Sequence, residues 1–267
     1  MGLSVYARAW RAGIVACGLA WFGPADLRAQ MQEPSAPAEE LTRQWAEPFG
    51  LVASPLSSGG LHDKWIGVQR RLDDEMVQLA LCEGDRDGCA SPAALKFLDI
   101  VDIAKLRDGR ARLGEINRAI NLSIRATSDL AQHGQIDVWS SPLATFARGG
   151  GDCEDYAIAK FVALRRAGIA PDDIRIVIMH DTIQGENHAV AAARLDGRWL
   201  MLDNRRMAMV RDSDVRNYRP TFVIGEHGAM RYADSLLLAG AADPKPAASL
   251  ATSSHTAPAD QAFEAAE

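Results

Sequence analysis

Gly149-Gly150-Gly151-Asp152-Cys153-Glu154-Asp155-Tyr156-Ala157-Ile158-Ala159-Lys160-Phe161-Val162-Ala163-Leu164-Arg165-Arg166-Ala167-Gly168 separates two kinds of pattern in this chain. Its three glycines allow close backbone approach and positive φ. Asp152 reads as the N-cap of a helix that carries Cys153, Tyr156, Ile158, Phe161, Leu164 and Arg165 and stops at Gly168. Before this stretch the apolar period is helical; after it the period is extended.

Upstream, Trp65, Val68, Leu72, Met76 and Leu79 recur at helical spacing in a run that ends near Cys82. Pro92 opens a second helix through Leu95, Leu98, Val101 and Leu106, closed by Asp108-Gly109. Leu113, Ile116, Ile120 and Ile124 mark a third. Its Asn117 and Asn121 share one face beside the apolar stripe, either as buried amides needing partners or on a solvent-facing edge. Asp137-Val138-Trp139-Ser140-Ser141-Pro142 then breaks the helical pattern. Downstream, Ile174 to Met179, Ala189 to Leu195, Trp199 to Leu202 and Thr221 to Ile224 are β-branched or apolar extended runs. Helices first and an antiparallel sheet afterwards make the class α+β.

The cysteines point to chemistry. Cys82 and Cys89 bracket a short loop, Glu-Gly-Asp-Arg-Asp-Gly, and are read as a disulfide, the alternative being two free thiols. Cys153 sits just inside a helix N-terminus, where the positive end of the helix dipole favours a thiolate. Taken alone it fits a packing thiol as well as a nucleophile. Asp196-Gly197 between two extended runs is a hairpin turn. Pairing Leu195 with Arg198 sets Val190 opposite Asp203 and His188 opposite Arg205, so His188 and Asp203 are diagonal neighbours on one face, within side-chain reach. A histidine oriented by an aspartate beside an activated cysteine is the logic of a Cys-His-Asp triad.

The ends of the chain read differently from its middle. Residues 1–29 run from Arg8 and Arg11 through the apolar stretch Ala12 to Gly23 to a small residue at Ala29, the layout of a secretory signal, and twelve apolar residues are too few to span a bilayer. Export would place the protein in the periplasm and remove Cys17. Residues 30–60 read as a linker or loosely docked arm, 61–240 as the foldable domain, and 241–267 as a disordered tail poor in large apolar residues. With 48% apolar residues and a net charge of −6, the 267-residue chain has the means for a core and no basic footprint for nucleic acid.

Gly151-Asp152-Cys153-Glu154-Asp155-Tyr156 with Ala157-Ile158-Ala159-Lys160, Asn187-His188-Ala189-Val190, Leu202-Asp203-Asn204, the Asn117/Asn121 pair and Asp137 to Pro142 together resemble the bacterial transglutaminase-like cysteine proteinases, and within them the LapG-type periplasmic adhesin proteases. The resemblance spans roughly Trp65 to Gly228. It implies a papain/transglutaminase-like core and a triad of Cys153, His188 and Asp203. It implies a protein substrate, a large surface adhesin cleaved near its N-terminus at small residues in biofilm control, and an inner-membrane cyclic-di-GMP receptor that sequesters the protease. It also implies calcium, with ligands that map onto Asp152 and Glu154 and with Asp155 as a third. The physics agrees with a cation: three carboxylates next to Cys153 oppose its ionisation, and hard oxygen ligands suit calcium. The same acids could instead only cap the helix. In the implied reaction the oxyanion meets the Cys153 N–H and a second donor, Trp139 or a backbone group of the Gly-rich loop. Protein crosslinking by the same triad, or non-catalytic binding on the same fold, are the alternatives.

Overall fold

The computed structural model describes residues 47–233. After a short 3-10 turn (Pro48–Gly50) and the strand β1 (Ala53–Pro55) come three long helices: α1 (Gly60–Gly84), α2 (Pro92–Lys105) and α3 (Gly109–Ser123). Trp65, Val68 and Leu79 face inward on α1, Phe97, Leu98 and Val101 on α2, and Leu113, Ile116 and Ile120 on α3, while Met76 and Leu106 of the expected stripes are exposed. Ser91 starts α2 by accepting the Ala94 N–H at 3.2 Å, and Pro92 fills the first helical position. The Sγ atoms of Cys82 and Cys89 are bonded at 2.04 Å, tying the end of α1 to the loop before α2.

Short elements follow. The strand β2 (Arg125–Ala126) precedes α4 (Asp129–His133) and α5 (Pro142–Arg148), and β3 (Gly150–Gly151) pairs with β2 in parallel, Arg125 beside Gly150 and Ala126 beside Gly151. α5 is set against α1 by Glu75, which accepts the Ser141 hydroxyl at 2.5 Å and the Leu143 and Ala144 N–H groups at 3.0 and 3.2 Å. Gly151 has a steric reason to be glycine. A Cβ there would stand 2.8 Å from the Asp155 side chain, closer than real contacts allow.

The helix α6 (Cys153–Arg166) is buried along nearly its whole length, from Asp155 to Leu164. It lies between the other helices and a sheet of β1 (Ala53–Pro55), β4 (Ile174–Asp181), β5 (Glu186–Leu195), β6 (Arg198–Leu202), β7 (Val210–Arg211), β8 (Tyr218–Gly225) and β9 (Gly228–Tyr232). The strand order is β1-β9-β8-β4-β5-β6-β7, every neighbouring pair antiparallel. The helices-then-antiparallel-sheet reading therefore holds.

Both faces of this sheet are apolar. Ile174, Ile176, Ala191, Leu200, Leu202 and Ile224 face the helical layer, while Val177, Met179, Val190, Trp199, Met201 and Val223 form a second cluster on the other side. The second face needs a cover, and the chain before Leu61 supplies part of it. Phe49, Leu51 and Ala53 pack on that cluster, β1 pairs with β9, and Glu47 forms a two-point ion pair with Arg175 at 2.7 and 3.0 Å. The last part of the expected linker or loosely docked arm, from Glu47, thus packs on the sheet, with Ala53–Pro55 as its edge strand. The expected signal and tail, residues 1–29 and 241–267, lie outside the described residues. Among the described residues no helix is long and apolar enough to cross a membrane.

Candidate active site

The β5–β6 hairpin forms in the register that its turn dictates: Leu195 pairs with Arg198 and Ala191 with Leu202. Asp196 and Gly197 take the left-handed φ values of 51° and 72° that a tight two-residue turn requires. His188, on β5, and Asp203, just past β6, then meet, with Nε2 of His188 2.9 Å from Oδ1 of Asp203. Both are buried. The same Oδ1 accepts the Arg205 N–H at 2.9 Å. Burial on its own would raise the Asp203 carboxyl, yet the hydrogen bond and charge of His188, the Arg205 N–H and the nearby Lys160 together hold it below the ordinary carboxylate range.

The loop that carries Asp203 is pinned from below. Asn121 Nδ2 donates to the carbonyls of Asp203 and Arg206 at 3.0 and 3.1 Å, and Asn117 Nδ2 to those of Arg206 and Met207 at 3.1 and 3.0 Å. The two asparagines are therefore buried amides with partners, and α3 sets the position of Asp203.

Cys153 begins α6 and opens into the same cleft as His188, a space of about 1150 Å³ also bordered by Trp139, Asp152, Glu154 and Ala189. With Nε2 turned to Asp203, His188 Nδ1 is buried and has no hydrogen-bond partner. The Cys153 thiol donates to Glu154 Oε2 at 2.8 Å. Burial, the Glu154 charge and that hydrogen bond push the thiol up from its ordinary value, while the Ala189 N–H pulls it down. Trp139 lines the cleft, but its indole N–H donates to Asp137 at 2.9 Å, so it is committed away from the role of second oxyanion donor.

The acidic residues divide in a way the sequence does not show. Oxygens of Asp129, Asp152 and Glu154 lie within 4.8 Å of one another. Asp155 is not among them: it is fully buried, and its Oδ1 accepts the Ser140 N–H at 2.8 Å. Of the three acids expected as ligands, Asp152 and Glu154 lie in this cluster and Asp155 does not, while Asp129 does. Asp152 occupies the N-cap position, but its side chain makes no capping hydrogen bond, so the capping role is not the one it plays. Instead, burial and then the charges of Glu154, Asp155 and Asp129 push its carboxyl up to about 9. Asp129 Oδ1 and Asp152 Oδ1 are buried without a hydrogen-bond partner, with His133 Nε2 4.0 Å from the former, and such oxygens suit a hard cation. Three carboxylates with no thiolate or imidazole among them fit calcium.

The sequence pattern of the bacterial transglutaminase-like cysteine proteinases (BTLCP) matches residues 76–222, more than half of the chain. The chain belongs to this family. It is a transglutaminase-like cysteine peptidase. No curated protein matches it. Among solved structures it is similar to Legionella pneumophila LapG, with TM-score 0.49, 23% identity, 61% of this chain and 91% of that one covered. It is also similar to LapG treated with EGTA, with TM-score 0.50, 21% identity and 60% and 86% covered. Calcium-bound LapG gives TM-score 0.49, 22% identity and 58% and 86% covered. At these identities the likeness speaks to fold alone.

Proposed function

We propose that this family member is an exported, calcium-dependent cysteine endopeptidase whose triad is Cys153, His188 and Asp203. The observation that carries the reading is the state of His188: one ring nitrogen is held by Asp203 at 2.9 Å, and the other is buried, unpartnered and in the cleft that Cys153 borders. In that arrangement Asp203 fixes the proton on Nε2, leaving Nδ1 as the base. Nδ1 takes the Cys153 proton, and the thiolate adds to a backbone carbonyl carbon. The oxyanion meets the Cys153 N–H and a backbone donor of the Gly150-Gly151 segment. The amine leaves with the proton from His188, and water, deprotonated by the same nitrogen, hydrolyses the thioester.

Asp129, Asp152 and Glu154 would hold the calcium ion, which supplies positive charge against carboxylates that otherwise oppose a thiolate at Cys153. The substrate we infer is a large surface adhesin cut near its N-terminus at small residues, with a cyclic-di-GMP receptor of the inner membrane as regulator. The family resemblance supports both. Export through residues 1–29 to the periplasm agrees with the Cys82–Cys89 pair, because disulfides persist in oxidising compartments. The test is incubation of the mature protein and its Cys153→Ala variant with exported adhesin segments, with and without calcium. New peptide termini from the parent protein alone, lost on chelation, are expected. Cleavage by the variant overturns the triad, and amine incorporation without new termini favours crosslinking.

A further inference from the structure

Lys160 is fully buried in the middle of α6, two helical turns after Cys153, a place where a lysine is costly. Its ammonium donates to the carbonyl of Leu202, the residue before Asp203, at 3.0 Å. It also stands 5.8 Å from the centre of the Tyr156 ring, and Tyr156 in turn donates its hydroxyl to the Ile124 carbonyl at 2.6 Å. Lys160 is no part of the proton relay and touches no member of the acidic cluster. An apolar side chain of similar length would fill the space with less desolvation. What the lysine adds is a polar tie between the helix that begins with the nucleophile and the end of the strand that presents the orienting aspartate.

We propose that Lys160 is a positioning residue of the triad, holding the Leu202–Asp203 backbone to the Cys153 helix through its hydrogen bond to the Leu202 carbonyl. This rests on the triad reading above. Three anchors then converge on Asp203 from three directions: Lys160 on the preceding carbonyl, Asn121 on its own carbonyl at 3.0 Å, and the Arg205 N–H on its carboxylate at 2.9 Å. The electrostatic link is visible from both ends. Burial pulls the Lys160 ammonium down to about 7 while the Asp203 charge pushes it back up, and Lys160 contributes to holding Asp203 low. A small displacement of Asp203 rotates the His188 ring away from the thiol, the kind of misplacement that costs rate without costing fold.

The experiment needs no substrate. Full-length protein in calcium chloride is alkylated with iodoacetamide, and the rate is followed on the Cys153 peptide by mass spectrometry, beside a thermal melt of each variant. His188→Ala should slow alkylation; if it does not, the triad reading itself fails, an outcome separate from those that concern Lys160. With His188 dependence established, Lys160→Met is expected to slow alkylation of the folded protein about tenfold, measured well below its melting temperature, beyond any loss the melt shows. Lys160→Gln, which keeps a donor for the Leu202 carbonyl without the charge, should recover part of the loss. A merely structural lysine would instead lower the melting temperature and leave the alkylation rate of the folded protein untouched. Alkylation of Lys160→Met and Lys160→Gln at the parent rate overturns the proposal, and so does failure of both to fold.

Discussion

Asp129→Asn should change stability in opposite directions with and without calcium. Without the cation, oxygens of Asp129, Asp152 and Glu154 crowd within 4.8 Å of one another. Two unit charges at such a separation repel by about 3 kcal/mol at an effective dielectric constant of ~20. The proton that burial and its neighbours force onto Asp152, pushed up to about 9, removes that acid from the repulsion at neutral pH. What remains is Asp129 against Glu154. The asparagine deletes that repulsion, and its amide oxygen can still accept the Val138 N–H that Asp129 accepts now. Because Glu154 is only partly buried, solvent screening cuts the gain to about 1–2 kcal/mol. For a domain of this size that is roughly 3–6 °C of melting temperature. In calcium the order reverses: the parent protein gains stability by binding, and the variant, short of one anionic ligand, gains little. Thermal melts in EGTA and across a calcium titration read both effects. A variant that gains as much from calcium as the parent protein removes Asp129 from the ligand set, and a variant destabilised in EGTA refutes the repulsion argument.

Asp203→Asn keeps the shape of the orienting group but presents the wrong hydrogen-bond partner to His188 Nε2; turnover should fall by about 10³–10⁴ with an unchanged melt, measured by peptide cleavage. Asn121→Ala removes the donor to the Asp203 and Arg206 carbonyls, and should cost about 1–3 kcal/mol in urea unfolding together with a loss of turnover that the destabilisation does not explain. The raised Asp152 carboxyl sets a pH trend. Its folded value of about 9 lies above the ordinary 3.8, so the stability linked to its proton is complete below pH 3.8 and is lost as pH rises towards 9. Melts of the chelated protein should show this contribution declining from pH 5 to pH 8, and Asp152→Asn should flatten the decline above pH 7, where Asp155, pushed up only to about 6, no longer contributes; an unaltered slope there in that variant refutes the assignment.

The parts of the site that could be read from sequence are the ones that local chemistry specifies. Asp196-Gly197 admits one tight turn, the turn admits one register, and the register brings His188 to Asp203. Gly149 to Asp152 and Gly168 likewise bound a helix with Cys153 at its start. Asp129 left no such trace. It reaches the cleft because two residues of β2 pair in parallel with Gly150-Gly151, and a pairing that short has no period to detect. Asp155 misled for the opposite reason. It is next to Glu154 in the chain, but a helix turns about 100° per residue, and this rotation sends it inward to the Ser140 N–H. The docked arm had a signal on its partner instead of on itself. Val177, Met179, Val190 and Met201 alternate with the core-facing residues and are apolar too, so the sheet must be covered on both sides. Phe49 and Leu51 were available to help cover it.

Two acceptors, Glu154 and His188 Nδ1, face the cleft that Cys153 borders, and they compete for its proton in the proposed mechanism. The thiol hydrogen bond goes to Glu154 Oε2 at 2.8 Å, while His188 Nδ1 stands without a hydrogen-bond partner. A carboxylate so placed does two things against catalysis. It holds the proton that the histidine should receive, and its charge raises the cost of leaving a thiolate behind. The helix N-terminus that favours the anion also carries Glu154, whose charge opposes it. Once Glu154 is engaged with a cation, both objections lapse together and His188 Nδ1 is left as the free acceptor in the cleft. On the proposed ligand set, calcium dependence would follow from the order Asp152-Cys153-Glu154: the nucleophile is set between two of the residues proposed to hold the ion, so removing the ion would restore the competitor for its proton.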